Sequence, residues 1–176
     1  MRGRSGGVVS TVISPNDLKE LVIRPTLDSM VPIWGPQVNT EAAVNLLLGT
    51  VYQESVVGGV THLKQIKGPA LGIYQMEPDT EADIFENYLN YKPAKLAFIR
   101  SLLPGDGYNV FPEQSALVSS LRYATAMARI KYWRRTFDWP TNPNNVLALA
   151  KIWDTHYNAN PDKGFPHEFV EAYPGG

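Results

Sequence analysis

The sequence predicts one predominantly α-helical domain behind a short N-terminal arm, and three observations predict it. Apolar residues recur at helical spacing through most of the chain, and no convincing alternating strand pattern occurs. Pro, Gly, Ser and Asn punctuate these segments at places where helices start and stop. The 176 residues, 44% hydrophobic and 19% charged, suit one globular domain with a substantial core.

Residues 1–14 read as the arm, made flexible at its beginning by Arg2, Gly3, Arg4, Gly6 and Gly7. It holds only a short, Ser/Thr-interrupted apolar part and is not read as a signal peptide. The domain spans 15–176. Ser14-Pro15 starts the first helix, with Leu18, Leu21 and Val22 on its apolar side. Pro25 is expected to limit it, and a second short helix is expected around Leu27 to Met30.

Asn39 or Thr40 caps the next helix, and Glu41 suits the positive end of its dipole. From Ala42 to Val51 this helix is apolar on nearly every side, as a helix buried among others must be. Gly58-Gly59 is expected to stop it, leaving Glu54 in or near its last turn. The loop from Val56 to Ala70 fits either a β-hairpin or an irregular path. Pro78 to Asn90 begins as a helix with Asp79, Glu81 and Asp83 early, and Pro93 introduces another to Leu103. Pro104-Gly105-Asp106-Gly107 is a loop.

Glu113 to Thr136 reads as the longest helix, buried through Leu117, Leu121, Ala124 and Ala128 and widened by Val118 and Met127. Arg129, Lys131, Arg134 and Arg135 at its end are expected to stay solvated and complement the dipole. Asn144 or Asn145 starts a further helix packed through Val146, Leu149, Ala150 and Trp153, and a last one lies around Glu168 to Tyr173.

Several classes of function fall away. A net charge of −1 argues against a generic nucleic-acid binder. No apolar run approaches the ~20 residues of a membrane span. With no cysteine, neither thiolate catalysis nor a Cys-based zinc site is open. His62, His156 and His167 lie far apart, and Glu171 stands where a zinc-protease motif begun at His167-Glu168 needs its second histidine. No metal and no cofactor is expected.

The chemistry centres on Gly49 to Pro78. A carboxyl at the C-terminal end of a helix among apolar neighbours has its pKa raised twice over, as a general acid near neutral pH requires. Position alone also fits a solvated helix-end residue. Beyond the turn, Tyr74 offers an aromatic face and a hydroxyl, and Gln75 both a donor and an acceptor, groups suited to sugars. Ile73 and Met76 read as core. Glu77, Asp79, Glu81 or Asp83 would supply a second carboxylate if one is used.

As a set, these motifs resemble the soluble lytic transglycosylases and the related goose-type lysozymes. Glu54-Ser55 resembles their catalytic Glu-Ser, and Gly72-Ile73-Tyr74-Gln75-Met76-Glu77-Pro78 their Gly-Leu-Met-Gln-x-x-Pro segment. Tyr157-Asn158-Ala159-Asn160-Pro161 resembles their Tyr-Asn-Ala-Gly-Pro segment. The resemblance covers roughly Thr40 to Pro161 in order, and departs from the family at Tyr74, Asn160 and Val56-Val57-Gly58.

It implies an α+β, lysozyme-like domain dominated by helices. It implies Glu54 as acid and base, Ser55, Tyr74, Gln75 and Asn158 at the substrate, and Tyr157 orienting the glutamate. The implied substrate is the glycan strand of peptidoglycan, cut between N-acetylmuramic acid and N-acetylglucosamine with closure of a 1,6-anhydro ring. Hydrolysis using Glu77 or Asp79 is the alternative. A second alternative is a non-catalytic structural protein of a phage tail or baseplate that keeps the fold. Proteins of this kind often ride on virions, so the arm is expected to dock onto tail or baseplate proteins.

Overall fold

Residues Ala42 through Tyr52 of the helix Glu41–Ser55 (α3) are all buried, and elements from both ends of the chain pack against this helix. The computed structural model describes residues 12–103, 115–158 and 164–175. The architecture is predominantly α-helical with one small antiparallel sheet among the described residues, an α+β chain dominated by helices. Thr40 starts α3 in extended conformation, its Oγ1 accepting from the Ala43 N–H at 3.2 Å. Glu41 then receives Lys19 at 2.8 Å and Arg24 at 2.7 Å, which ties the N-terminal helices to α3. Residues 1–11 of the expected arm lie outside the described residues; at its end, the Ile13 carbonyl accepts from the Tyr52 hydroxyl at 2.7 Å.

Pro25 does not end the first helical run. The turn Pro15–Asp17 (α1) passes through a π-helical stretch, Leu18–Ile23, into the helix Arg24–Trp34 (α2), which contains both Pro25 and Pro32. Arg24 donates to the Lys19 carbonyl, five residues back, and this wider turn spares the carbonyl that a proline ring would otherwise strike. The expected second helix around Leu27 is therefore part of α2, and Leu21, assigned to the apolar side, stands 71% exposed.

Gly58-Gly59 does not terminate α3, which closes at Ser55. The two glycines instead turn a hairpin between Val56–Val57 (β1) and Val60–Thr61 (β2), with φ of 59° and 77°. Positive φ at both central residues matches the right-handed twist of paired strands. The chain continues as a tight loop in which Leu71 bridges to Lys64 and to Met76. Ile73 and Met76 are buried, as core residues should be.

At Gly72 φ is 74°, and an added Cβ would run into the Leu117 carbonyl oxygen. Gly72→Ala is expected to destabilise the fold by about 2–4 kcal/mol, adding left-handed strain to a backbone clash. Urea melts of the two chains check this; equal midpoints would refute it.

Pro78–Asn87 (α4) and Pro93–Ser101 (α5) follow. The expected loop at Pro104 to Gly107, and Glu113, lie outside the described residues. The long helix divides into Ala116–Ser119 (α6) and Leu121–Trp133 (α7). Ser120 is extended at the break, and its Oγ accepts from the Tyr123 N–H at 3.2 Å, a fresh N-cap where continuity was expected. Val146–His156 (α8) and Pro166–Ala172 (α9) close the structure against α3, where Gly49 leaves room for the Phe169 ring. No helix among the described residues is long and apolar enough to cross a membrane.

Arg129 is not a solvated helix-end cation. It is 2% exposed, and donates to the carbonyls of Val38 at 2.8 Å and Gln37 at 3.1 Å. Trp133 and Trp139 flank its guanidinium at 5.1 and 5.5 Å. These carbonyls and aromatic faces compensate the desolvation of a buried cation.

Candidate active site

The last turn of α3 brings Glu54 to a cavity of about 300 Å³. The loop after the hairpin supplies Gln75 and Glu77, α7 supplies Lys131, and the end of α8 supplies Trp153, Tyr157 and Asn158. One wall therefore belongs to the core helices, and the other to the Gly-turned loop that Gly72 seats against Leu117.

Trp153 holds the glutamate. Its indole N–H donates to Glu54 Oε1 at 2.7 Å, while its ring is buried against Phe169, centroids 5.6 Å apart. Burial pushes the Glu54 carboxyl up to about 7, although the Trp153 hydrogen bond and the Lys131 charge both pull it down. Desolvation wins because it acts on the whole carboxylate, whereas one neutral donor and one charge offset it in part.

Lys131 is half-buried in the same cavity. Its Nζ donates to the Tyr157 carbonyl at 2.8 Å and lies 3.7 Å from the centre of the Tyr157 ring. Burial lowers its pKa to about 8, and the carboxylates of Glu54 and Glu77 hold it from falling further. At neutral pH the cavity thus contains a carboxyl near its midpoint and an ammonium not far below its own.

The expected site residues separate into two groups. Glu54, Gln75, Tyr157 and Asn158 line the cavity together. Gln75, at φ 44°, is fixed by donating to the carbonyls of Gly72 at 2.7 Å and His62 at 3.2 Å, which leaves its amide oxygen toward other partners. Asn158 donates to the Gly164 carbonyl at 3.0 Å. Ala159, Asn160 and Pro161 of the same motif lie outside the described residues.

Ser55 and Tyr74 do not reach the cavity. Ser55 is fully buried and its Oγ donates to the Val51 carbonyl at 2.8 Å, the ordinary bond of a hydroxyl inside a helix. Tyr74 is 1% exposed, with its hydroxyl against Thr125 Oγ1 at 3.2 Å. Both belong to the frame and are not sugar contacts. Tyr157 likewise spends its hydroxyl on the Tyr74 carbonyl at 2.8 Å, so the direct partner of Glu54 is Trp153.

Sequence reasoning placed Trp153 in the packing and Lys131 in solvent. For Trp153 a signal exists: an indole needs a hydrogen-bond acceptor when buried, and Glu54 is the carboxylate closing the neighbouring helix. Lys131 carries no comparable signal among four cations at one helix end. Among the described residues no group of three or more His, Cys, Asp or Glu comes together as a metal site. Compared with known protein families, characterised proteins and solved structures, the chain matches none of them.

Proposed function

We propose that the chain is a lysozyme-like lytic transglycosylase that cleaves peptidoglycan between N-acetylmuramic acid and N-acetylglucosamine. One observation carries the reading: a recessed carboxyl on α3, held by an indole N–H and raised to about 7, faces a polar cavity. A carboxyl with that pKa is part protonated and part ionised at neutral pH, so one group serves as acid and then as base.

Protonated Glu54 gives its proton to the glycosidic oxygen as the bond to muramic acid C1 breaks. Trp153 steadies the resulting carboxylate, and the charge of Lys131 stabilises it further. The muramic acid 6-hydroxyl then attacks C1 and yields its proton to Glu54, which closes the anhydro ring and restores the acid. Gln75 and Asn158 are placed to hold the sugar's hydroxyl and N-acetyl groups. Following the same resemblance, the proposed setting is a phage particle acting at the bacterial wall.

Mass analysis of peptidoglycan digests tests this. Anhydro-muropeptides from the intact chain are the expected product. Hydrolysis is the second reading, because exposed Glu77 lines the same cavity and is free to work on water. Reducing-end products would favour it. A folded chain that releases nothing would favour the structural role.

A further inference from the structure

The hairpin and the loop after it carry apolar surface that the site at Glu54 does not use. Val57, Val60, Leu63 and Ile66 are four of the eight large apolar side chains that stand exposed among the described residues, and they fall within ten positions. Single exposed apolar side chains are ordinary, whereas a cluster marks a surface that meets something. Ile66 is the most exposed of the four, at 64%.

The fold holds these side chains out. Val57 and Val60 are partners across the two-glycine turn. Beyond it the Gln65 N–H donates to the Ala70 carbonyl at 2.9 Å and the Gly72 N–H to the Leu63 carbonyl at 2.8 Å, which fixes the loop with its apolar groups outward. Leu63 continues into a groove of about 490 Å³, walled by Pro69, Leu71, Pro78 and Val118 with Lys64 among the lining. Val57, Val60 and Ile66 lie outside that groove, so apolar surface leaves the hairpin and loop in more than one direction.

The charge here is of one sign. Between Ser55 and Met76 the chain has Lys64 and Lys67 and no Asp or Glu, within a protein of net charge −1. Both lysines are exposed, and neither forms a salt bridge among the described residues. Glu54 and Glu77, the carboxylates on either side in sequence, line the other cavity. Apolar side chains interleaved with unpaired lysines match the boundary of an anionic bilayer, where phosphates lie over hydrocarbon. A rigid protein partner covers one flat face, while lipid closes around groups that point several ways.

We propose that the hairpin and its loop dock onto an anionic phospholipid surface, with Val57, Val60, Leu63 and Ile66 entering the acyl boundary and Lys64 and Lys67 meeting headgroup phosphates. Docking of this kind is independent of the chemistry at Glu54, and it is read without any cleavage.

The test is flotation of the full chain with vesicles of phosphatidylcholine alone or with about one-third phosphatidylglycerol. The parent is expected to bind the anionic vesicles about tenfold or more tightly than the neutral ones, and to lose most of that difference in about 0.5 M salt. Lys64→Gln with Lys67→Gln should weaken anionic binding about 10–30-fold, and Val57→Ser with Ile66→Ser about tenfold or more. All four positions are exposed, so urea midpoints near the parent's are expected and show that the variants fold. Equal binding to both vesicles, binding that either double variant leaves unchanged, or no binding by the folded parent would each overturn the proposal. A parent that ignores vesicles and sediments as a dimer, with the Val57→Ser, Ile66→Ser chain a monomer, would assign the patch to a second copy and overturn the lipid reading.

Discussion

Replacing Glu54 by glutamine is expected to lower peptidoglycan cleavage by about 10³-fold or more while making the protein more stable at alkaline pH. The two effects share one cause. In the fold Glu54 titrates near 7, against a usual value of 4.5, because burial disfavours its charge. A raised carboxyl pKa contributes stability that is complete below the unfolded value and is lost as pH rises through the folded one. The parent should therefore weaken from about pH 4.5 to 7 and level off above that, by on the order of 3 kcal/mol. Glutamine keeps an acceptor for Trp153 and never ionises, so its stability curve should lack this step. Denaturant melts of both chains across pH 4–9 read it directly. Parallel curves would mean that Glu54 is not desolvated as the structure has it.

Trp153→Phe carries the second large effect. Phenylalanine retains much of the packing on Phe169 and deletes the Trp153 hydrogen bond that lowers the Glu54 pKa. Loss of a donor to the charged form raises the pKa of the acid. In the proposed mechanism cleavage begins from protonated Glu54, so activity should fall as pH rises past that pKa, and this falling limb should move to higher pH in the variant. The rate at the optimum should drop about 10–100-fold, because the carboxyl is no longer held at one angle. The pH profile separates this from a merely structural defect, which would lower the rate without displacing the limb.

How much of this the sequence disclosed depends on whether the controlling contact is local. The cap at Thr40, the apolar run from Ala42 and the placement of Glu54 in the last turn of α3 are all set by neighbours within a few residues, and they were legible. Pro25 misled because its cost depends on the width of the preceding turn, which the π-helical stretch changes. Gly58-Gly59 was correctly a turn, but of a hairpin instead of a helix end, since three valines and a threonine around it pair across the turn. Arg129 and Trp153 were misjudged for a common reason. Their partners, Val38 and Glu54, lie about a hundred residues away, and nothing in a helical wheel records them. Tyr74 looked like a ligand because of its type, and burial beneath Thr125 decided otherwise.

The burial of α3 has a consequence for how the protein fails. Because Glu54, the proposed proton donor, rides on a helix buried from Ala42 through Tyr52, it has no private, low-energy way to move. Amides of α3 should exchange with heavy water only through global opening, at the same free energy that denaturant melts report. Heat should then remove structure and activity together, at one temperature, with no folded but inactive stage in between.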